Sequence, residues 1–490
     1  MAACAGLFAA VQAQAEKLVI LHTNDTHSQI DPDSDDLGGV LRRKAVIDSV
    51  KSVNPNVLVV DAGDAVQGTL YFTLYGGEVE MKAMNALGYD LAILGNHDFD
   101  NGINALAENI KRSDATWITS NYDTKGSALD GLLEPYVIKE FDGKRVAFMG
   151  INLNPEGMIS ARNYPGITYN DILKAANATA WTLRHHHGAD MVVAITHIGY
   201  DDPSLPDDLE LARNSEDIDI IIGGHSHTKV DPSVPGITYM VPNLKGDDVL
   251  VTQTGWHGVS VGEIDIDLDN LTAAYRLIPV DKRLDDRLDP TTAAILQPYK
   301  SRVDSLFSLK VAKSAVELDP QRLANLFGDL VMERGQQLAG KTHVDLGLIN
   351  NGGIRNAMPK GDISEAHMMM TLPFDNRVRV IKVKGADLQS SFNKMIERGI
   401  NGVSGNVDIT TNPEGTICES ILIDGKPLDP NREYVLATID YLADGGDYLV
   451  WLKNGQTIAS SDKILYEDFN QMLRKRKGRL NPPAAPRVHK

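Results

Sequence analysis

The apolar run Leu91-Ala92-Ile93-Leu94 leads directly into Gly95-Asn96-His97-Asp98, and this pattern of strand followed by polar loop decides the fold. Four more β-branched apolar runs end in the same way, at residues 17–22, 57–60, 191–195 and 218–222. Strands that are apolar throughout are covered on both faces by helices. Residues 41–51 and 78–87, which lie between the runs, have the amphipathic pattern of such helices. The sequence therefore predicts a layered α/β sandwich.

Each of the five runs delivers potential metal ligands at its carboxyl end, where ligands gather in layered α/β proteins. They are Asp25, His27, Asp64, Asn96, His197, His225 and His227. A single histidine after a strand is more often structural, but five strand ends of this kind argue against coincidence. Mixed imidazole and carboxylate ligands suit zinc, manganese or iron better than calcium or magnesium alone. The pattern therefore predicts a divalent-metal centre at one edge of the sheets.

The motifs that carry these ligands resemble the calcineurin-like metallophosphoesterase pattern. They are Asp25-x-His27, Gly63-Asp64, Gly95-Asn96-His97-Asp98, His197 and Gly224-His225-x-His227. Their order is similar to that of the secreted 5'-nucleotidase family, which includes UDP-sugar hydrolases and 2',3'-cyclic-nucleotide phosphodiesterases. The resemblance implies two divalent metals, most simply zinc or manganese. One would be held by Asp25, His27 and His227 and the other by Asn96, His197 and His225, with Asp64 as the bridge.

His97 would then lie over the phosphate as electrophile or general acid. The family spacing implies that Asp100 orients the His97 ring. The residues alone leave a second interpretation, in which Asp100 caps a helix that begins near Asn101.

Composition changes after residue 280, and the paired histidine blocks do not continue. We expect a metallophosphoesterase domain at residues 16–280, a charged linker with helical stretches at 281–305, a second domain at 306–480 and a tail at 481–490. By resemblance, the second domain is the α/β substrate-binding domain that follows the metal domain in 5'-nucleotidases.

This second half holds the candidate substrate contacts. Arg355, after the paired glycines of Asn350-Asn351-Gly352-Gly353, matches the family arginine that contacts phosphate, and a guanidinium fork suits that role. The resemblance also implies that Tyr441 stacks on the base, that Asp447 binds the ribose hydroxyls and that Asn406 makes a polar contact. Weaker phosphate candidates are Arg377 and Arg379. The stretch 402–406 lacks the second stacking aromatic that the family commonly supplies, which argues against a two-ring clamp on the base.

Residues 1–15 carry no charge and end in Ala13-Gln14-Ala15, which resembles a signal peptide and its cleavage site. We therefore expect export to a periplasmic or extracellular location without a transmembrane anchor. Met-Ala-Ala-Cys4 leaves lipoprotein anchoring as an alternative. Cleavage after Ala15 would leave Cys418 as the one cysteine, so that no intramolecular disulfide could form.

Lys and Arg number 48 against 66 Asp and Glu, a formal net charge of −18 that argues against binding of nucleic-acid polymers. The hydrophobic content of 42% excludes a disordered chain. The expected function is an exported two-metal phosphohydrolase acting on nucleoside 5'-monophosphates. Alternatives on the same centre are 2',3'-cyclic-nucleotide or UDP-sugar hydrolysis, and a different class is a non-catalytic nucleotide- or metal-binding protein.

Overall fold

The computed structural model describes residues 17–201, 206–399 and 402–489. The signal-like segment 1–15, with Cys4, lies outside this range. In chain order, the strands of the first half are β1 (Lys17–Thr23), β2 (Val57–Asp61), β3 (Leu91–Ile93), β4 (Thr116–Ile118), β5 (Tyr122–Asp123), β6 (Tyr136–Phe141), β7 (Lys144–Asn152), β8 (Thr168–Tyr169), β9 (Met191–His197), β10 (Ile220–Ile222), β11 (Met240–Pro242), β12 (Asp248–Thr252), β13 (Ser260–Asp267) and β14 (Thr272–Pro279). Its helices are α1 (Val40–Lys51), α2 (Leu70–Tyr75), α3 (Glu78–Leu87), α4 (Ile103–Arg112), α5 (Ile172–His185) and α6 (Asp208–Arg213).

Two six-stranded sheets carry the first half, in the orders β14-β13-β1-β2-β3-β4 and β11-β12-β10-β9-β7-β6. Strands β1 to β4 run parallel, and β13 joins β1 in antiparallel register. In the second sheet β12, β10, β9 and β7 are parallel, with antiparallel strands at both edges. The carboxyl ends of the parallel strands in each sheet therefore meet along one edge, where the predicted ligands follow.

The two sheets pack face to face over a core that includes Ile20, Val60 and Ile93 of the first sheet and Phe148 and Val193 of the second. Helices α1, α3 and α4 bury apolar residues in the cluster on the outer side of the first sheet. Helices α5 and α6 do the same for the second sheet. The predicted layered α/β sandwich is confirmed.

Residues in the predicted linker form a short 3₁₀ helix, Lys282–Arg287, and most of α7 (Pro290–Leu306). Asp289 caps α7 by accepting from the backbone N–H of Thr292 at 2.7 Å, and Pro290 occupies the first turn, where a missing N–H costs nothing.

The second half contains strands β15 (Lys310–Ser314), β16 (Leu346–Ile349), β17 (Gly361–Ser364), β18 (Val378–Lys384), β19 (Gly402–Val403), β20 (Val407–Thr411), β21 (Cys418–Ile423), β22 (Lys426–Pro427), β23 (Glu433–Ile439), β24 (Gln456–Ser460) and β25 (Val488–His489). Its helices are α8 (Pro320–Ala339), α9 (Glu365–Thr371), α10 (Gly385–Glu397), α11 (Asp440–Ala443) and α12 (Leu465–Lys475). A five-stranded sheet, in the order β19-β16-β23-β18-β24, forms its centre.

The two halves share a packed seam. Ala366 and Met369 of α9, and Leu296 and Val303 of α7, are buried in the same cluster as the helices on the first sheet. The loop after α9 is therefore held next to the first half. Among the described residues, no helix combines the length and apolar character needed to cross a bilayer.

Candidate active site

The predicted metal ligands lie at the carboxyl ends of β1, β2, β3, β9 and β10, where His197 is the last residue of β9 and the others occupy the loops. Their backbones are unusual for residues with a Cβ. Positive φ angles occur at Asp25 (+49°), His27 (+47°), Asp64 (+56°), His225 (+82°) and His227 (+57°). Such conformations cost free energy outside glycine and cluster at functional sites.

Glycines in the same motifs allow the loops to approach one another. A Cβ on Gly95 would lie 2.1 Å from Asp64 Oδ1. A Cβ on Gly224 would lie 2.7 Å from the Ala62 carbonyl oxygen and 2.8 Å from His197 Nδ1. These two glycines are therefore required by the close packing of the ligand loops themselves.

Two groups of donor atoms converge, each within 4.8 Å: Asp25 with His27 and His227, and Asp25 with Asp64 and His197. In the first group His27 Nε2 lies 3.0 Å from His227 Nε2, and His227 Nε2 lies 3.4 Å from Asp25 Oδ1. In the second, His197 Nε2 lies 3.1 Å from Asp64 Oδ2. Asp25 is therefore a member of both groups.

Asn96 and His225 meet at the same place, with His225 Nδ1 2.9 Å from Asn96 Oδ1. The backbone N–H of His225 donates to Asp25 Oδ2 at 2.9 Å, which joins this pair to the two groups above. The structure therefore brings all seven predicted ligands to one edge of the sandwich.

The centre fits divalent cations. His197 Nε2 is fully buried and lies 3.1 Å from Asp64 Oδ2, so the ring nitrogen and the carboxylate face the same point, where a cation would be held. Its other nitrogen, Nδ1, lies 2.7 Å from the Ala62 carbonyl oxygen, as an oriented metal-binding histidine requires. Burial lowers the pKa of His225 to about 4, which keeps that ring neutral and able to ligate.

Asp98 supports the ligand loops from behind. Its Oδ2 accepts from the backbone N–H of Gly95 at 2.7 Å and of Asp64 at 3.2 Å. Burial, and then repulsion from Asp64, raise the pKa of Asp98 well above its ordinary value.

His97 is held by both halves of the chain. Its Nδ1 lies 2.9 Å from Asp100 Oδ2, and its Nε2 lies 2.7 Å from Arg355 Nη2. Since a guanidinium only donates, Nε2 is the acceptor and the ring proton lies on Nδ1, facing Asp100. Helix α4 begins after Gly102 without a side-chain cap, so the capping interpretation of Asp100 is wrong.

A cavity of about 190 Å³ opens from His97 and is lined by both halves. Three of the candidate substrate contacts, Arg355, Tyr441 and Asp447, line it. The Tyr441 hydroxyl donates to Asp447 Oδ1 at 3.1 Å, and Asn350 Nδ2 donates to Asp447 Oδ2 at 2.7 Å. The ring, the carboxylate and the guanidinium therefore share one chamber with His97.

Three predicted substrate residues lie elsewhere. The Asn406 amide donates to the Asp345 carbonyl oxygen at 2.8 Å, and Asn406 is absent from the described cavity lining. Arg379 makes an ion pair with Asp444 at 2.6 Å. Arg377 precedes β18 and also lies outside the lining. Asn406 and Arg379 have partners inside the second half, and the substrate roles of all three residues stay predictions.

Sequence reasoning missed Phe374, which lines the cavity. Its ring centroid lies 5.9 Å from that of His97 and 5.4 Å from the Arg355 guanidinium carbon. It also missed Gln67, whose Oε1 accepts from Arg355 Nη2 at 3.3 Å. The sequence signal for Phe374 is its place in the segment Pro373-Phe374-Asp375-Asn376, directly before Arg377 and Arg379.

Comparison with known families agrees with this geometry. Residues 18–229 match the model of the calcineurin-like phosphoesterases, and residues 299–454 match that of the 5'-nucleotidase C-terminal domain. The chain belongs to the 5'-nucleotidase family. Like other members, it has a two-domain α/β organisation and is a metal-dependent phosphoester hydrolase.

Relatives of this 5'-nucleotidase family member resemble it over most of its length. Protein UshA of Yersinia enterocolitica is 28% identical, over 88% of this chain and 86% of UshA. The trifunctional nucleotide phosphoesterase YfkN of Bacillus subtilis is 26% identical over 96% of this chain, which spans only 35% of YfkN. The solved structure of a 5'-nucleotidase precursor from Thermus thermophilus is 28% identical and superposes with a TM-score of 0.84, covering 96% of this chain and 99% of that one.

Proposed function

We propose that the enzyme hydrolyses nucleoside 5'-monophosphates to nucleoside and phosphate at a centre for two divalent metals. The observation that carries this proposal is the 2.7 Å contact between His97, beside the ligand loops, and Arg355 of the second half. This contact joins the cluster of seven candidate metal ligands, here called the metal-type centre, to the chamber that holds the Tyr441 ring and the Asp447 carboxylate. A nucleotide offers matching groups: a phosphate, a ribose diol and a flat base.

In this proposal Asp25, His27 and His227 hold one metal, Asn96, His197 and His225 hold the other, and Asp64 lies between them. Zinc or manganese suits this donor set. Two such ions would lower the pKa of an attacking water and offset the charge of the phosphate.

The chain's own groups would bind and orient the ester. Arg355 is a suitable phosphate ligand, because its buried Nε has no hydrogen-bond partner within the described ranges and its fork already points at His97. A phosphate oxygen that accepts the hydrogen bonds of Arg355 would free His97 Nε2 to take up a proton from solvent, and the doubly protonated ring would give that proton to the leaving 5' oxygen. Asp100 would hold the ring in place through Nδ1.

Tyr441 would stack on the base, and Asp447 would accept hydrogen bonds from the ribose hydroxyls. The Tyr441 hydroxyl and Asn350 fix the Asp447 carboxylate from two sides. This arrangement suits a diol, because a carboxylate can accept from both hydroxyls.

We also propose the domain bounds 16–280 and 306–480, joined by a linker at 281–305, and export directed by residues 1–15. The seam between the halves then forms the substrate chamber.

A substrate panel at fixed manganese concentration tests the proposal: AMP, 2',3'-cyclic AMP, UDP-glucose and bis-p-nitrophenyl phosphate. We expect AMP to give the highest kcat/KM. Tyr441→Ala should lower kcat/KM for AMP by about 5- to 150-fold, since a base stacked on an aromatic ring contributes about 1–3 kcal/mol. Tyr441→Phe, which keeps the ring, is the matched control. Equal turnover of the aromatic diester and the nucleotides by the wild type would contradict the proposal.

A further inference from the structure

Trp256 is an exposed aromatic residue beside the metal-type centre, in the turn between β12 and β13. Its exposed fraction is 45%. Its ring stacks on the imidazole of His227, with centroids 4.9 Å apart and planes 21° apart. It also stacks on His257, with centroids 3.9 Å apart and planes 17° apart. Two imidazoles therefore engage this indole, one of which is a candidate metal ligand.

The turn that presents Trp256 is anchored to the strand end that carries Asp25. The His257 backbone N–H donates to the Asp25 carbonyl oxygen at 2.8 Å, and Asn24 Nδ2 donates to the Gly255 carbonyl oxygen at 2.7 Å. His257 has a φ of +56°, which is unfavourable for a residue with a side chain. The indole is thus held at a fixed place relative to Asp25 by a strained backbone, a feature that clusters at functional sites.

Among the described residues, His227 lacks the contact at Nδ1 that orients two other candidate ligands, His197 and His27. His197 and His27 each direct Nδ1 at a backbone carbonyl oxygen, at 2.7 Å and 3.4 Å. Within the described part of the chain, the polar contacts of the His227 ring, to His27 and Asp25, both involve Nε2, and no protein group orients Nδ1. Its side chain is 29% exposed, against 4% for His27 and 0% for His197. The rotation of the His227 ring therefore depends on contacts other than a protein hydrogen bond at Nδ1.

We propose that Trp256 is a positioning residue, which holds the His227 imidazole in its metal-binding orientation by stacking and so sets the affinity for one metal of the pair. The inference rests on the proposed function, in which His227 is a ligand. Partners that orient a ligand histidine typically contribute about 10–100-fold in metal affinity, and we expect an effect of this size.

The test measures manganese binding to the metal-free enzyme at equilibrium, which gives a dissociation constant for each of two sites. Trp256→Ala should weaken one site about 10–100-fold and leave the other unchanged. Trp256→Leu, which keeps bulk without a flat face, should behave like Trp256→Ala. Trp256→Phe should restore affinity to within a few-fold of the wild type.

Trp181→Ala is the matched control. Trp181 is 50% exposed on α5 and also contacts two imidazoles, at 5.3 Å from His185 and 4.9 Å from His186, but these are not candidate ligands. This variant should bind both ions normally. The thermal unfolding midpoint of each metal-free variant shows whether it is folded.

His227→Ala separates failure of the inference from failure of the proposed function. If His227→Ala binds two ions with wild-type affinity, the assignment of His227 as a ligand is wrong. If His227→Ala loses one ion while folded Trp256→Ala and Trp256→Leu keep both at wild-type affinity, only the role of Trp256 is refuted. Equal weakening of both sites in the Trp256 variants would also overturn that role.

Discussion

His22 offers a pH test of the first sheet that does not depend on activity. It lies in β1 and is 0% exposed, and neither ring nitrogen has a hydrogen-bond partner among the residues that the structure describes. The ring stacks on Tyr275 at 5.7 Å and fits against Gly262, where a Cβ would lie 2.0 Å from Nε2. Burial disfavours the charged form of this ring and lowers the pKa of His22 from 6.5 to about 3.

The direction of the effect follows from the two pKa values. Below pH 6.5 the unfolded chain binds a proton at His22 that the folded chain does not bind until about pH 3. The free energy of unfolding therefore falls as the pH decreases through this window. Each pH unit within it costs about 1.4 kcal/mol, so the step from pH 7 to pH 5 removes about 2 kcal/mol.

Urea unfolding of the wild type and of His22→Phe at pH 7 and pH 5 measures this contribution. Other titrating groups act equally in both proteins, so the wild type should lose about 2 kcal/mol more than the variant between the two pH values. The phenyl ring keeps the contact with Tyr275, and any constant packing penalty cancels in the difference. His343→Gln, at an exposed position, is the control for replacing a histidine away from the core. Equal losses in wild type and His22→Phe would refute the reasoning.

Three further predictions concern the centre and the core. His97→Ala should lower kcat for AMP by about 10²–10⁴-fold with its metal content intact, the usual contribution of a general acid, and unchanged kcat would remove that role. Arg355→Ala should lower kcat/KM for AMP by about 10²–10³-fold. Arg355→Lys should give a kcat/KM between those of the wild type and Arg355→Ala, because an ammonium cannot reproduce the guanidinium fork. Equal kcat/KM values for the two variants in steady-state kinetics would indicate that the phosphate binds elsewhere. Phe148→Ala, between the two sheets, should reduce the free energy of unfolding by about 3–5 kcal/mol in urea titrations, and a loss below about 1 kcal/mol would contradict its place in the core.

The metal-type centre could be located from sequence because its geometry is set by strand ends. An apolar β-branched run predicts a buried parallel strand, and the residues that follow its carboxyl end must reach one edge of the sheet. His197, the last residue of β9, and Asp25, two residues after β1, are placed by this rule alone. For these ligands, the distance in sequence from the end of a strand was therefore enough to predict where the side chain lies.

The substrate chamber could not be located in the same way, because it depends on how two halves pack. Phe374 reaches the chamber because Ala366 and Met369 of α9 are buried against the first half, which no local pattern reveals. Asn406 lies outside the lining of the chamber, and its amide donates to the Asp345 carbonyl oxygen within the second half. A match to a family motif reports a position in the chain, whereas a substrate contact also requires that the side chain remain available.

The net charge of the whole chain likewise does not predict the charge of its active site. The chain carries −18, yet its proposed substrate is an anion. Surface charges are screened beyond about 8 Å at physiological ionic strength, so most of the 66 acidic residues exert little force inside the cleft. Two divalent cations against Asp25 and Asp64 would leave about +2 at the centre, before Arg355 is added. The sign of the potential that a phosphate meets is therefore decided by a few buried groups, and an acidic surface is compatible with a cationic active site.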